Sequence, residues 1–217
     1  MKLVWYSEIK WNYIQTRKQS LIKCFPMSDT ILFFQPFSFV GSNYFFPKRE
    51  GNVYYVTLPT YRKSKYKLID TIMSFLILRK VFYFLVYLYS RIWIRIIIKK
   101  VPHCICISNI FYLPLLDNSN MPIVWDYNDD PEQFGTQPRW AMKQFEVFLK
   151  SNNNIISCSK GIGKYLLKKY NCSAITIPNG IDLSHFNNNI ISSKNNKKII
   201  IGYVGIISSW FFDFELI

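Results

Sequence analysis

The chain has 217 residues, half of them apolar and 18% aromatic, and a formal net charge of +14. That is enough apolar matter to bury a core, and it excludes a disordered tail, a collagen-like chain and an acidic solubilising protein. The positive balance leaves two kinds of partner, nucleic acid or an anionic membrane surface.

Lys2–Ser7 predicts a strand, followed by a helix near Tyr13–Cys24. The opening MKLVWYSEIKW is not a signal peptide, because its apolar run is short and Glu8 follows at once. Thr30–Pro36 and Val53–Leu58 predict strands. Between them, Gln35, Pro36, Ser38, Gly41, Ser42 and Asn43 make the uncharged stretch to Pro47 strand and loop. Residues 62–100 come next and hold ten basic residues against Asp70 alone, so most of the excess charge sits there. They are also the greasiest part of the chain. Their longest uncharged run, Val81–Ser90, falls short of the ~20 residues a membrane span needs. Wound as a helix, Lys80, Tyr83, Tyr87, Arg91 and Arg95 fall on one stripe, and the rest of the circumference is Leu, Ile, Val, Phe and Trp93. Such a helix suits contact with an anionic bilayer surface through Lys80, Arg91 and Arg95. It equally suits a core helix of a soluble domain whose solvated face is basic.

Strands follow at Cys104–Ser108, Pro122–Tyr127, Ile155–Cys158 and Ala174–Ile177, with helices near Gln137–Lys150 and Ser159–Tyr170 between them. The strands are continuous apolar runs, as expected when both faces of a sheet are covered. The fold class is therefore α/β, a doubly wound and mostly parallel Rossmann-like sheet. Residues 187–198 form a polar break that predicts an exposed linker. Residues 199–217 begin a new strand and helix that cannot bury their own faces. The expected organisation is thus one domain over 1–186, a linker, and the opening of a second domain. The five cysteines lack the spacing of a disulfide framework, and Cys104 and Cys106 share one face of a strand as core residues. They fit a reducing, cytoplasmic compartment. Asn171-Cys172-Ser173 has the form of a glycosylation site, but nothing indicates secretion.

In open α/β sheets ligands gather at the carboxyl ends of the strands. No G-x-G-x-x-G follows the first strand and no G-x-x-x-x-G-K-[ST] occurs, which argues against a dinucleotide oxidoreductase and a phosphate-loop enzyme. In the first loop and helix, Arg17 can hold a phosphate or sugar hydroxyl, with Gln19 near it, and Trp11 can stack on a sugar face. The alternative is a solvated first turn. After the strand at 122–127, Asp126, Asn128, Asp129 and Asp130 form an acidic group with no Lys or Arg between Val101 and Pro138. These carboxylates can bind sugar hydroxyls or act as a general base. Two adjacent carboxylates can also point to Mg²⁺, and Asp129 or Asp130 can simply cap a loop. Asn179-Gly180 makes a tight turn. A strand, Gly205 and a helix start give a place where a diphosphate can approach the backbone.

Taken in order, Cys158-Ser159, Asn179-Gly180-Ile181-Asp182, Phe186, Gly202-Tyr203-Val204-Gly205, Trp210, Asp213 and Glu215-Leu216 resemble the junction between the two domains of GT-B glycosyltransferases. More narrowly, they resemble the group 1 (family 4 type) enzymes of bacterial surface polysaccharide synthesis. The resemblance implies transfer of a sugar from a nucleotide-sugar donor to a lipid-linked or glycan acceptor, with the acceptor held by the N-terminal domain. It implies that Gly205 approaches the donor diphosphate and that Asn128 and Asp129 stand where many members carry a His-Asp pair. It implies no cofactor and no bound metal, the nucleotide-sugar being a substrate. The donor pocket's Glu-x7-Glu region is not in the sequence, so the 217 residues are expected to be inactive alone. The expected location is cytoplasmic, at the inner face of the membrane. The rival reading is a non-enzymatic membrane-binding module that uses the basic apolar helix. Nucleic acid is the weakest partner, because the charge is embedded in Leu, Ile and Phe and no nucleic-acid motif occurs.

Overall fold

The computed structural model describes residues 1–39, 41–61, 67–116, 121–134, 137–151, 154–180, 202 and 214–215. The chain divides into two units, Met1–Gly180 and Ile181–Ile217. The expected linker, the second-domain opening and Gly205 lie outside the described residues.

The first unit is built on an eight-stranded sheet. Its strands are β1 Lys2–Tyr6, β2 Thr30–Pro36, β3 Lys48–Glu50, β4 Val53–Leu58, β5 Cys104–Ile107, β6 Ile123–Tyr127, β7 Ile155–Ser157 and β8 Ile175–Thr176. The spatial order is β3-β4-β2-β1-β5-β6-β7-β8, and only β3 runs antiparallel to its neighbour. The helices are α1 Arg17–Lys23, α2 Lys67–Ser74, α3 Leu76–Trp93, α4 Arg139–Ser151 and α5 Lys160–Tyr170. The architecture is the expected doubly wound α/β sheet.

The pleat explains the continuous apolar runs. Val4, Tyr6, Leu32, Phe34, Ile105, Ile107, Trp125 and Tyr127 enter one buried cluster. Leu3, Trp5, Ile31, Phe33, Val53, Tyr55 and Cys106 enter the cluster on the opposite face, with Trp11 and Ile22 over them. Both faces are buried, so neither can be polar. In α4, Phe145 is fully buried and packs its ring on Trp125, Tyr127 and Tyr170. Burial of each such side chain contributes about 1.5–3 kcal/mol.

Three local features differ from the sequence-based expectation. The first helix is shorter, starting at Arg17 behind Thr16. β3 joins the sheet as an edge strand with all three residues exposed, held by its pairing with β4 and carrying no apolar signal. After β5 the chain forms a 3-10 turn at Ile110–Leu115, where Asn109 accepts the Phe111 N–H and Pro114 prevents a regular helix.

The chain order reverses beside β1. β2 and β4 lie on one side of it, β5 to β8 on the other. The crevice between the carboxyl ends of β1 and β5 is therefore the topological switch point of the sheet.

Candidate functional site

The loops after β1, β5, β6, β7 and β8 all meet at the carboxyl edge. From the first helix, the Arg17 side chain is only 6% exposed, and its Nε donates to Asp126 Oδ1 at 3.0 Å. Arg17 Nη1 donates to Asn179 Oδ1 at 3.1 Å, and Nη2 is buried with no partner. Asp126, at the end of β6, is 1% exposed. Burial raises its pKa, and the Arg17 guanidinium opposes that shift. Its other oxygen accepts a long hydrogen bond from Asn128 Nδ2 at 3.5 Å, while Asn128 Oδ1 is buried without a partner. The Cys158 thiol donates to the Asn128 carbonyl at 3.3 Å. Burial pushes that thiol's pKa up, so it is not an activated nucleophile.

A second ion pair stands next to the first. Lys18 Nζ is bound to the Glu8 carboxylate, whose other oxygen accepts the Ser108 hydroxyl at 2.5 Å. This pair spans the β1–β5 switch point. Asp129 is exposed beyond it. Partial desolvation raises the pKa of Asp129, with Lys18 pulling it down and Glu8 pushing it up. Asp130 is spent differently: Oδ1 accepts the Glu132 N–H at 3.1 Å and Oδ2 accepts the Tyr165 hydroxyl at 2.5 Å. It caps a loop and ties it to α5.

The fold thus brings Arg17, Asp126, Asn128 and Asp129 together, although 109 residues separate the ion-paired arginine and aspartate. Two other predicted site residues are largely buried. Trp11 is 6% exposed, with its ring edge-on to Phe33 and its Nε1 donating to Glu50 at 2.9 Å. It packs as a core residue and keeps only an edge on the cavity formed with Asn12, Tyr13 and Gln15. Gln19 is also buried, and its amide accepts the Thr16 N–H and donates to the carbonyls of Lys10 and Trp11. Its hydrogen bonds shape the loop. Lys18 and the Arg17 Nε are committed to carboxylates, which leaves Arg17 Nη2 as the donor without a partner at the start of α1. Sequence reasoning did not place Glu8, Ser108 and Asn179 at the site. Each follows the carboxyl end of a strand, and Asn179 also belongs to the Asn179-Gly180 turn. Among the described residues no group of three or more His, Cys, Asp or Glu is placed to hold a metal ion.

α3 presents a second surface. It belongs to the crossover from β4 to β5 and continues into a wider turn at Ile94–Ile98. Tyr83, Val86, Ser90, Ile94 and Ile98 are buried, the Tyr83 ring against Trp140 of α4. The expectation of Tyr83 on an open basic stripe is corrected: its ring packs inward. The opposite face is apolar and open, with Ile77 at 76%, Phe84 at 58%, Leu85 at 59% and Ile92 at 51% exposed. Lys80, Arg91 and Arg95 form one flank of that face, with Arg91 against the Tyr87 ring. Leu76–Ile98 is long and apolar enough to cross a membrane by length and composition alone.

No family model matches this chain, and no curated protein matches it. Among solved structures, a sucrose-phosphate synthase from Thermosynechococcus elongatus superposes with a TM-score of 0.55 at 9% identity, over 84% of this chain and 49% of that one. The fold is glycosyltransferase-like. A second chain of the same name and organism matches with a TM-score of 0.52 at 12% identity, over 85% of this chain and 92% of that one. This chain therefore spans about half the length of the first synthase chain. At such identities the likeness is one of fold, the sheet-and-helix arrangement of a GT-B enzyme, and it does not reach the family 4 type.

Proposed function

We propose that this chain supplies the acceptor side of a glycosyltransferase of the group 1 (family 4) type, in which a hexosyl group passes from a nucleotide-sugar donor to a lipid-linked or glycan acceptor. The setting is cell-surface polysaccharide synthesis at the cytoplasmic face of a membrane. The observation that carries this reading is the buried guanidinium of Arg17, with Nη2 unpartnered at the switch point and Asp129 exposed nearby. A buried donor without an acceptor costs about 1–3 kcal/mol, and a ligand oxygen placed there removes that cost. In this reading Arg17 donates to a sugar or phosphate oxygen, and Asp126 holds the guanidinium in place. Asp129 takes the proton of the acceptor hydroxyl, because a carboxylate with a raised pKa is the better base. Asn128 orients a hydroxyl through its free amide oxygen. Gly205 approaches the donor diphosphate, by the sequence resemblance alone. The donor is a substrate, and no cofactor or metal is required.

The open face of α3 supports the location. It sits in the crossover between two strands of one sheet with its inner face buried, so in this reading it lies along the interface, its apolar face in the lipid and Lys80, Arg91 and Arg95 at the head groups. The same face favours the second reading, a membrane-binding module without chemistry. Ligand titration separates the two. Short-chain lipid-linked sugars or soluble oligosaccharides bind the full chain saturably in the first reading, with affinity reduced at least about tenfold by Asp129→Asn. Binding to anionic vesicles with no sugar binding supports the second.

A further inference from the structure

A cavity of about 510 Å³ lies between α3 and β5, on the side of the sheet away from the candidate site. It opens near the amino ends of the strands. Residues 99–102 line it on their way into β5, and the α3 end beside it is tied to β1, where Lys2 Nζ donates to the Ile98 carbonyl at 2.5 Å. Four cations line it: Arg91, Arg95, Lys99 and Lys100. Among the described residues no carboxylate lines it, and none of these four makes an ion pair. Its inner wall is apolar, including Ile94, Ile105 and Leu115. Lys99 adopts a left-handed conformation with φ of 60°, which turns the chain sharply at the end of the helix.

A pocket that is cationic at the rim and apolar within fits an anion that carries an apolar body. Free phosphate uses only the rim. A nucleic acid presents a charged backbone to an open basic surface and leaves the apolar wall unused. A phospholipid uses both, and its chains have somewhere to go. Arg91 and Arg95 stand on the flank of the helix whose outer face exposes Leu88, Ile92 and Ile96. An arginine pair is well suited to the oxygens of a phosphate ester.

We propose that this cavity binds the phosphate head group of an anionic bilayer lipid, with the acyl chains laid along the open face of α3. The proposal rests on the membrane reading given above and adds a discrete, stoichiometric lipid site to it. The site is separate from the Arg17–Asp126 edge and does not hold the sugar acceptor.

Two measurements on the full chain test it. In calorimetric titration below its micellar concentration, dihexanoyl phosphatidic acid binds saturably near one per chain. Dihexanoyl phosphatidylcholine and inorganic phosphate bind at least about tenfold more weakly, since one lacks net charge and the other an apolar body. Arg91→Gln with Arg95→Gln weakens phosphatidic acid at least about tenfold, and Arg91→Lys with Arg95→Lys restores part of it. The double Gln variant keeps its thermal midpoint, because both side chains reach the surface. Equal binding of inorganic phosphate assigns the site to a free anion and overturns the proposal. In flotation with phosphatidylcholine vesicles containing phosphatidic acid, Phe84→Asp with Leu88→Asp releases the chain. If that variant is released while the double Gln variant floats like the parent and binds phosphatidic acid like the parent, the pocket is refuted and the membrane reading stands. If the parent does not float, the membrane reading fails, and the lipid site fails with it.

Discussion

Asp126 and Arg17 form an ion pair almost sealed from water, with side chains 1% and 6% exposed. Such a pair gains little over an apolar pair, but breaking it leaves an uncompensated buried charge. Arg17→Met should therefore cost about 3–5 kcal/mol in urea unfolding at neutral pH. The pH dependence has a definite sign. The folded pKa of Asp126 already lies above its unfolded value, and loss of Arg17 raises it further. The stability this group contributes is complete below the unfolded pKa and is lost as pH rises through the folded one. The deficit of the variant should thus shrink as pH falls into the ordinary aspartate range, and Asp126→Leu in the same chain should rescue part of it at neutral pH. A deficit independent of pH would contradict the pairing. Tyr83 gives a contrasting case. Its hydroxyl is buried with no hydrogen-bond partner, so Tyr83→Phe should leave stability unchanged or raise it. A loss above about 1 kcal/mol would reveal a partner. At this scale the sequence was only half legible. Arg17 stood out at the first helix and Asp126 at a strand end, but nothing local told that they would meet across 109 positions. Trp11 shows the converse: an aromatic in a loop looks ready for a sugar until the fold turns it inward over Phe33.

The elements divide by how much of their signal is local. β2 and β4 appear at the bounds their apolar runs predict, because burial of both faces leaves no freedom in composition. β3 has the sequence Lys-Arg-Glu, and only the edge of β4 makes it a strand. α3 was legible as a basic, greasy helix but not in its orientation. A circumference of Leu, Ile, Phe and Val offers several faces for burial, and the fold takes the one bearing Tyr83, Val86 and Ser90. Inward and outward substitutions should therefore part company. In α4, Phe145→Ala should cost about 3–5 kcal/mol, as a fully buried ring leaves a cavity. On α3, Phe84→Asp with Leu88→Asp should leave the urea midpoint nearly unchanged while abolishing flotation with anionic vesicles. Equal stability losses in both would mean that the outer face of α3 is covered by protein.

At the scale of the whole molecule, the chain order places its functional groups. Reversal beside β1 sets the crevice at the carboxyl ends of β1 and β5, and the Glu8–Lys18–Ser108 and Arg17–Asp126 groups fall there. The bulk of the basic charge lies instead on the crossover that carries α3. Most of the +14 is thus set apart from the carboxyl-edge groups, and the proposed lipid and acceptor contacts fall on different parts of the fold. The doubly wound class could be read from alternating strands and helices, whereas the site needed the pairing order. The most direct measurement is a calorimetric titration of the full chain with a short-chain lipid-linked sugar, repeated with Asp129→Asn. The account predicts saturable binding that weakens at least about tenfold in the variant, with an unchanged unfolding midpoint. No saturable binding, or binding indifferent to Asp129, would contradict it.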